Sequence, residues 1–147
     1  MKIIEAIKNY IGNLECMKTF ENAININFLD GTADNFSIEE VPCNPILKKY
    51  LDGSTKRQFQ FAFCSRQSYG PEVIQNIDNS GFYEEFIDEI EVKSYQGILP
   101  MGIDSVEALK LEVTSSAYVV SANGGTDEDT ALYQINLCFK YLKKWGW

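Results

Sequence analysis

One stretch, TKRQFQFAFCSRQ at residues 55–67, constrains the fold of this chain more than any other. Large apolar side chains alternate there with smaller or polar ones: Phe59, Phe61 and Phe63 on one side, Gln58, Gln60, Ala62 and Cys64 on the other. Such alternation is typical of a strand that has one face in a core and the other toward solvent. The stretch therefore predicts an antiparallel sheet that is covered on one face.

Other segments supply partners for this strand. TALYQINLCFKYL, which starts at Thr130, shows the same alternation, and SVEALKLEVTSSAYVVSA, which starts at Ser105, reads as a long β segment. The polar sequence NGGTDED between them predicts a hairpin loop. AININFLDG and DNFSIEEVPC, near residues 23–43, predict two strands joined by a hairpin, whereas NPILKKYLDGS predicts a short connection or one helical turn.

Two segments have the periodicity of amphipathic helices. MKIIEAIKNYIGNL repeats apolar residues at helical spacing, and residues 73–91 carry a second apolar stripe opposite an acidic face. We expect one α+β domain over residues 1–147, a mostly antiparallel sheet with two helices packed on one face, in the order α-β-β-β-α-β-β.

Composition narrows the classes of function. With 21 acidic residues, 13 basic residues and a net charge of −8, attraction to nucleic-acid phosphates is not expected. The sequence has no His, so no Ser-His-Asp or Cys-His site can form within one chain. No stretch has the roughly 20 apolar residues of a membrane span. The four Cys show no CxxC spacing and are interpreted as reduced, mainly buried thiols.

Candidate chemical sites are few. Neither a GxGxxG nor a Walker A motif occurs, and Asp127, Glu128 and Asp129 lack the spacing of a calcium loop. The carboxylates Glu84, Glu85, Asp88 and Glu89 read as a solvated helix face more readily than as a glycosidase pair. We therefore predict no catalytic residue, no metal and no cofactor. An enzyme that uses carboxylates or an activated Cys remains an alternative.

Amide side chains define a further feature. They lie opposite the apolar positions of the predicted strands: Asn25, Asn27, Gln58, Gln60, Gln134 and Asn136. Such a face is either simply hydrated or a contact surface on which amides pair without the desolvation cost of buried charges. A cytosolic module that binds a peptide or small ligand through this face is thus a second alternative.

Four segments together resemble a family of small proteins from the head-to-tail module of long-tailed bacteriophages and prophages, called minor capsid or tail completion proteins. They are VPC at residues 41–43, DGSTKRQFQF at 52–61, YGPEVIQNIDNSGFYEEF at 69–86 and DTALYQI at 129–135. The family is similar in size and element order to tail terminators, which form a hexameric ring that caps the tail tube and offers a docking surface to the head.

The resemblance implies a non-enzymatic virion protein, present in the host cytoplasm during assembly. Its expected partners are copies of itself in a hexameric ring, the tail tube and head-completion proteins, with DNA passing through without specific binding and no contact with a membrane. A head-completion (neck) protein of the same assembly is the nearest alternative. We expect the acidic loop Asp127, Glu128 and Asp129 to lie at the ring surface or bore.

The sequence Asn79, Ser80 and Gly81 interrupts the second predicted helix. Without a base to activate Ser80, we interpret these residues as a structural break. Gly81 would allow close approach of another element, and Asn79 or Ser80 would cap the following turn.

Overall fold

The computed structural model describes residues 2–17, 24–26, 35–68, 73–122 and 130–144. The elements follow in chain order: helix α1 (Ile3–Gly12), a 3-10 turn (Glu15–Met17), strands β1 (Ile24–Ile26), β2 (Asn35–Glu40), β3 (Ile46–Lys49) and β4 (Thr55–Ser68), helix α2 (Val73–Tyr95), and strands β5 (Val106–Val113), β6 (Tyr118–Ala122) and β7 (Thr130–Lys143).

Strands β4 and β7 form the centre of the sheet. They pair antiparallel along their whole length, from Thr55 opposite Lys143 to Ser68 opposite Thr130. The free side of β4 pairs with β3 near one end and with β2 near the other, and β5 and β6 divide the free side of β7 in the same way. The sheet is mostly antiparallel, which confirms the α+β prediction.

The core lies between this sheet and the two helices, as the alternation predicts. Five of the six predicted core side chains are buried: Phe61, Phe63, Ile135, Leu137 and Phe139. Phe59 is partly buried and packs against the same cluster, to which α1 contributes Ile7 and Ile11 and α2 contributes Phe86 and Ile90. Both helices therefore cover the same face of the sheet.

Stacked aromatic rings join β2, β4 and α2 within this core. The ring of Phe63 stacks on Phe36, at a centroid distance of 5.6 Å, and on Phe86, at 4.7 Å. The interplanar angles are 9° and 4°. Offset stacking is a favoured geometry for aromatic pairs, so the contact between Phe63 and Phe86 helps to hold α2 against the sheet.

Three predictions about the strands were wrong. Residues 46–49 form β3 instead of a connection or helical turn, because the Asp52-Gly53 turn directs the chain back along β4. In this turn Gly53 has φ 89°, and Asp52 accepts hydrogen bonds from Ser54 N and Oγ. The long β segment from Ser105 is divided into β5 and β6. Strands β1 and β2 are parallel, so they do not form the predicted hairpin.

Candidate functional site

The face of the sheet opposite the helices carries Gln58 and Gln60 from β4 and Gln134 and Asn136 from β7. We call these four residues the amide face. Cross-strand pairing of Ala62 with Asn136 and of Cys64 with Gln134 places the polar positions of both strands on this side. The four amide side chains are partly exposed. Of the other predicted amides, Asn27 and the side chain of Asn25 lie outside the described part of the chain.

Hydrogen bonds order the amide face. Gln60 Nε2 donates to Gln58 Oε1 at 3.3 Å, and Gln58 Nε2 donates to the carbonyl of Asn44 at 2.8 Å. On β7, Gln134 Nε2 donates to Asn136 Oδ1 at 3.2 Å and to the Tyr118 hydroxyl at 3.1 Å. A partner that docks on side chains already held in place loses less conformational entropy than one that must order them.

Small buried side chains lie between the amides. Ala62, Cys64 and Cys138 are each at most 2% exposed. Burial, reinforced by the nearby Glu39 carboxylate, raises the pKa of Cys64 to about 12, and burial also raises the pKa of Cys138. A thiolate is the reactive form of Cys, so these two thiols act as small apolar groups, as the sequence predicted. Cys16 and Cys43 are also free thiols but are only partly buried.

A charged cluster borders the amide face at β5. Glu112 lies 3.0 Å from Lys140 Nζ and 3.1 Å from Lys110 Nζ. The hydrogen bond from Lys140, followed by that from Lys110, holds the pKa of Glu112 below its usual value. The Glu112 carboxylate offsets one of the two ammonium charges, so the cluster keeps one net positive charge beside the amide face.

The α2 carboxylates differ in their surroundings. Glu84, Glu85 and Asp88 are exposed, as predicted for a solvated face. Glu89 differs, because its Oε2 accepts a hydrogen bond from Glu15 N at 2.7 Å and its Oε1 accepts one from Cys16 N at 3.0 Å. Glu89 therefore fastens the 3-10 turn after α1 to α2, a structural role that the sequence analysis missed.

The interpretation of Asn79, Ser80 and Gly81 as a structural break was wrong. Helix α2 runs without interruption from Val73 to Tyr95 through all three positions. A β-carbon built on Gly81 would meet no atom of the described residues within 4 Å beyond its chain neighbours and its own helix backbone, so no described element approaches closely enough to require a glycine there. Burial of Tyr83, Phe86 and Ile90 after Gly81 keeps the segment helical despite the weak helix propensity of glycine.

The other predicted site, Asp127, Glu128 and Asp129, lies outside the described residues, and its place at a ring surface stays a prediction. Within residues 2–17, 24–26, 35–68, 73–122 and 130–144, no group of three or more His, Cys, Asp or Glu side chains is arranged to hold a metal ion. Among the helices described, none combines the length and hydropathy that a membrane-spanning helix needs. Comparison with protein-family models and with curated proteins finds no match to this chain.

Proposed function

We propose that this chain is a structural virion protein of a long-tailed phage or prophage, a tail terminator or tail-to-head joining protein that forms a ring on the end of the tail tube. The observation that carries the proposal is the amide face. A partly exposed surface of hydrogen-bonded amide side chains on the open side of a sheet is suited to contact with another protein of the particle.

Physical chemistry favours such a contact over a charged one. Burying an amide that exchanges one hydrogen bond for another costs little, whereas burying an unpaired charge costs several kcal/mol. The cores of protein interfaces are depleted in charged residues for this reason. We infer that the amide face meets the tail tube or a head-completion protein.

The positions of the four segments that resemble the phage family also support the proposal. Residues 52–61 form the turn before β4 and its first half, residues 69–86 contribute to α2, and residues 129–135 contribute to β7. Phe61, Phe86 and Ile135, one from each of these segments, belong to one core cluster. The segments that carry the resemblance thus pack together in the core, on the side of the sheet opposite the amide face.

The net charge of −8 suits a ring through which DNA passes. A negative surface repels the phosphate backbone, so DNA would move past the ring without being held.

Deleting the gene from the phage or prophage that carries it tests the proposal. Loss of a protein that caps the tube would leave headless tails of uncontrolled length in electron micrographs, restored to normal by the wild-type gene. Headless tails of normal length would instead identify a head-completion protein. Intact infectious particles would overturn a role in the virion and favour a cytosolic binding module.

A second experiment tests the amide face itself. Replacing Gln60 and Gln134 with Lys introduces two charges on a surface that we infer to be buried in the particle. We expect a folded protein that is missing from purified particles. Glu5→Lys with Asn9→Lys, at exposed positions of α1, is the matched control and should be incorporated normally.

A further inference from the structure

The corner between β3 and β4 presents apolar and basic side chains to solvent. Leu51, in the turn, is fully exposed, and Leu47 and Tyr50 are 43% and 39% exposed. Lys48 and Lys49 are exposed beside them, and Lys48 Nζ lies 5.3 Å from the centre of the Tyr50 ring. We call residues 47–51 the basic corner. Single exposed apolar residues are common, but three within one short basic segment suggest a contact surface.

A groove of about 460 Å³ lies between the C-terminal half of α2 and β5. Its apolar lining includes Tyr95, which is 94% exposed, Leu109, which is 42% exposed, and Val113. Its lining also includes Lys110 and Glu112, whose charges pair with each other. Glu91 lies at its rim and continues an exposed carboxylate stripe along α2 that includes Glu84 and Asp88. Residues at this spacing share one helix face, so the groove has an acidic approach. We call it the acidic groove.

The charges of these two surfaces are complementary. In the described part of the chain, Lys48 and Lys49 form no salt bridge, and neither do Asp88 and Glu91; the ion pairs found there involve Lys93, Lys110, Lys140 and Lys144. Complementary charges on two proteins speed and orient their association. An exposed leucine and an apolar groove add the burial that a stable contact needs.

The two surfaces cannot meet within one copy. Lys49 pairs with Thr55, Thr55 with Lys143 and Lys143 with Val106, so β3 and β5 lie at opposite edges of the sheet. The groove residues Leu109 and Val113 lie further along β5 from that end. Three strand spacings, roughly 14 Å, separate β3 from β5. Two different surfaces on opposite edges of a subunit give a heterologous contact, which closes into a ring when successive rotations add to a full turn.

We propose that the basic corner of one copy of this chain docks in the acidic groove of the next copy. Leu51 enters the groove against Tyr95 and Leu109, and Lys48 and Lys49 face Asp88 and Glu91. This inference rests on the proposed ring and names the surfaces that build it.

The contact is made by side chains and not by adding β3 of one copy to β5 of the next. The edge of β5 resists strand addition, because Ser94 Oγ already accepts a hydrogen bond from Leu111 N and a register shift interrupts the strand between Ala108 and Lys110. Occupied backbone groups and bulges are common ways in which natural edge strands avoid extended pairing.

Charge reversal in both directions tests the pairing by size-exclusion chromatography with light scattering, at about 100 µM protein. We expect wild type to associate, and Lys48→Glu with Lys49→Glu to weaken association at least tenfold. Asp88→Lys with Glu91→Lys should weaken it equally. A mixture of the two variants should associate again, because each then offers a surface complementary to the other. Lys2→Glu with Lys8→Glu makes the same change in charge on α1 and should associate like wild type.

Circular dichroism and thermal melting of each variant separate lost contacts from lost folding. Leu51→Ser, at a fully exposed position, gives a second test that leaves net charge unchanged and should also weaken association at least tenfold. Association should weaken as salt rises, since the Debye length is about 8 Å at physiological ionic strength.

Several results would overturn the inference. They are a wild-type chain that stays monomeric at this concentration, variants that associate normally, and a mixture that fails to restore association. Normal association of the variants would show that the basic corner and the acidic groove do not join the subunits, but it would not argue against a ring. The gene-deletion experiment judges the virion role by tail length and does not depend on which surfaces join the subunits.

Discussion

Replacing Phe63 with Ala tests how the core is built. Phe63 is fully buried and its ring stacks on two others, Phe36 and Phe86. Truncating a buried Phe costs about 3–5 kcal/mol, and each favourable ring pair adds about 0.5–1.5 kcal/mol beyond area burial. We therefore expect Phe63→Ala to lower the free energy of unfolding by about 4–5 kcal/mol.

Urea denaturation followed by far-UV circular dichroism measures this loss, with all variants at one protein concentration because association would add to stability. Phe59→Ala, at a partly buried position on the same strand, is the matched control and should cost clearly less. The double variant Phe63→Ala with Phe86→Ala should show a coupling of about 0.5–1.5 kcal/mol. A loss below about 1 kcal/mol for Phe63→Ala, or no coupling with Phe86, would refute the stacked core.

Three further predictions concern α2 and the thiols. Gly81→Ala should raise the free energy of unfolding by about 0.5–1 kcal/mol, because Gly81 lies inside a helix with open space around it; a loss of stability in the same denaturation assay would contradict this. Burial alone would raise the pKa of Glu89, but hydrogen bonds from Cys16 N and Glu15 N outweigh it and hold that pKa below its usual value. The stability that Glu89 contributes is therefore fully present above the unfolded-state pKa near 4.5 and is lost as pH falls through the folded-state pKa. Glu89→Gln should lower the free energy of unfolding by about 1–3 kcal/mol at pH 7 and by less at pH 3. An equal cost at both pH values would exclude the carboxylate as the acceptor. Iodoacetamide should alkylate Cys64 in the native protein far more slowly than in urea, since burial raises the pKa of its thiol to about 12; equal rates by mass spectrometry would contradict the burial.

The centre of the sheet could be predicted from sequence because the same alternation of apolar and polar residues occurs in both of its long strands. Phe61, Phe63, Ile135 and Leu137 alternate with polar residues on two long strands, and a shift of one residue would move every apolar side chain to solvent. The amide face follows from the same alternation, since Gln60 and Gln134 occupy the opposite positions. One pattern therefore fixes both the core and the candidate site.

Other features could not be predicted because they depend on contacts between residues that are distant in the sequence or on a neighbouring turn. Strand β3 has four residues, and its pairing with β4 depends on the Asp52-Gly53 turn more than on its own alternation. Gly81 was predicted to break a helix from its local propensity, but burial of Tyr83 and Phe86 on the following turn outweighs that preference. The role of Glu89 required knowing that the turn after α1 approaches α2, although its spacing from Lys93 was visible in the sequence.

Pairing of β4 with β7 has a consequence for synthesis. The paired residues are separated by about 60–90 residues of chain, so a ribosome that has finished β4 must still make α2, β5 and β6 before β7 exists. At about 5–20 residues per second, this leaves one long edge of β4 open for several seconds. Phe59, Phe61 and Phe63 lie on that strand, and an unpaired strand with such residues is prone to aggregate. The yield of native protein during rapid production should therefore depend on chaperones that shield this strand until β7 emerges.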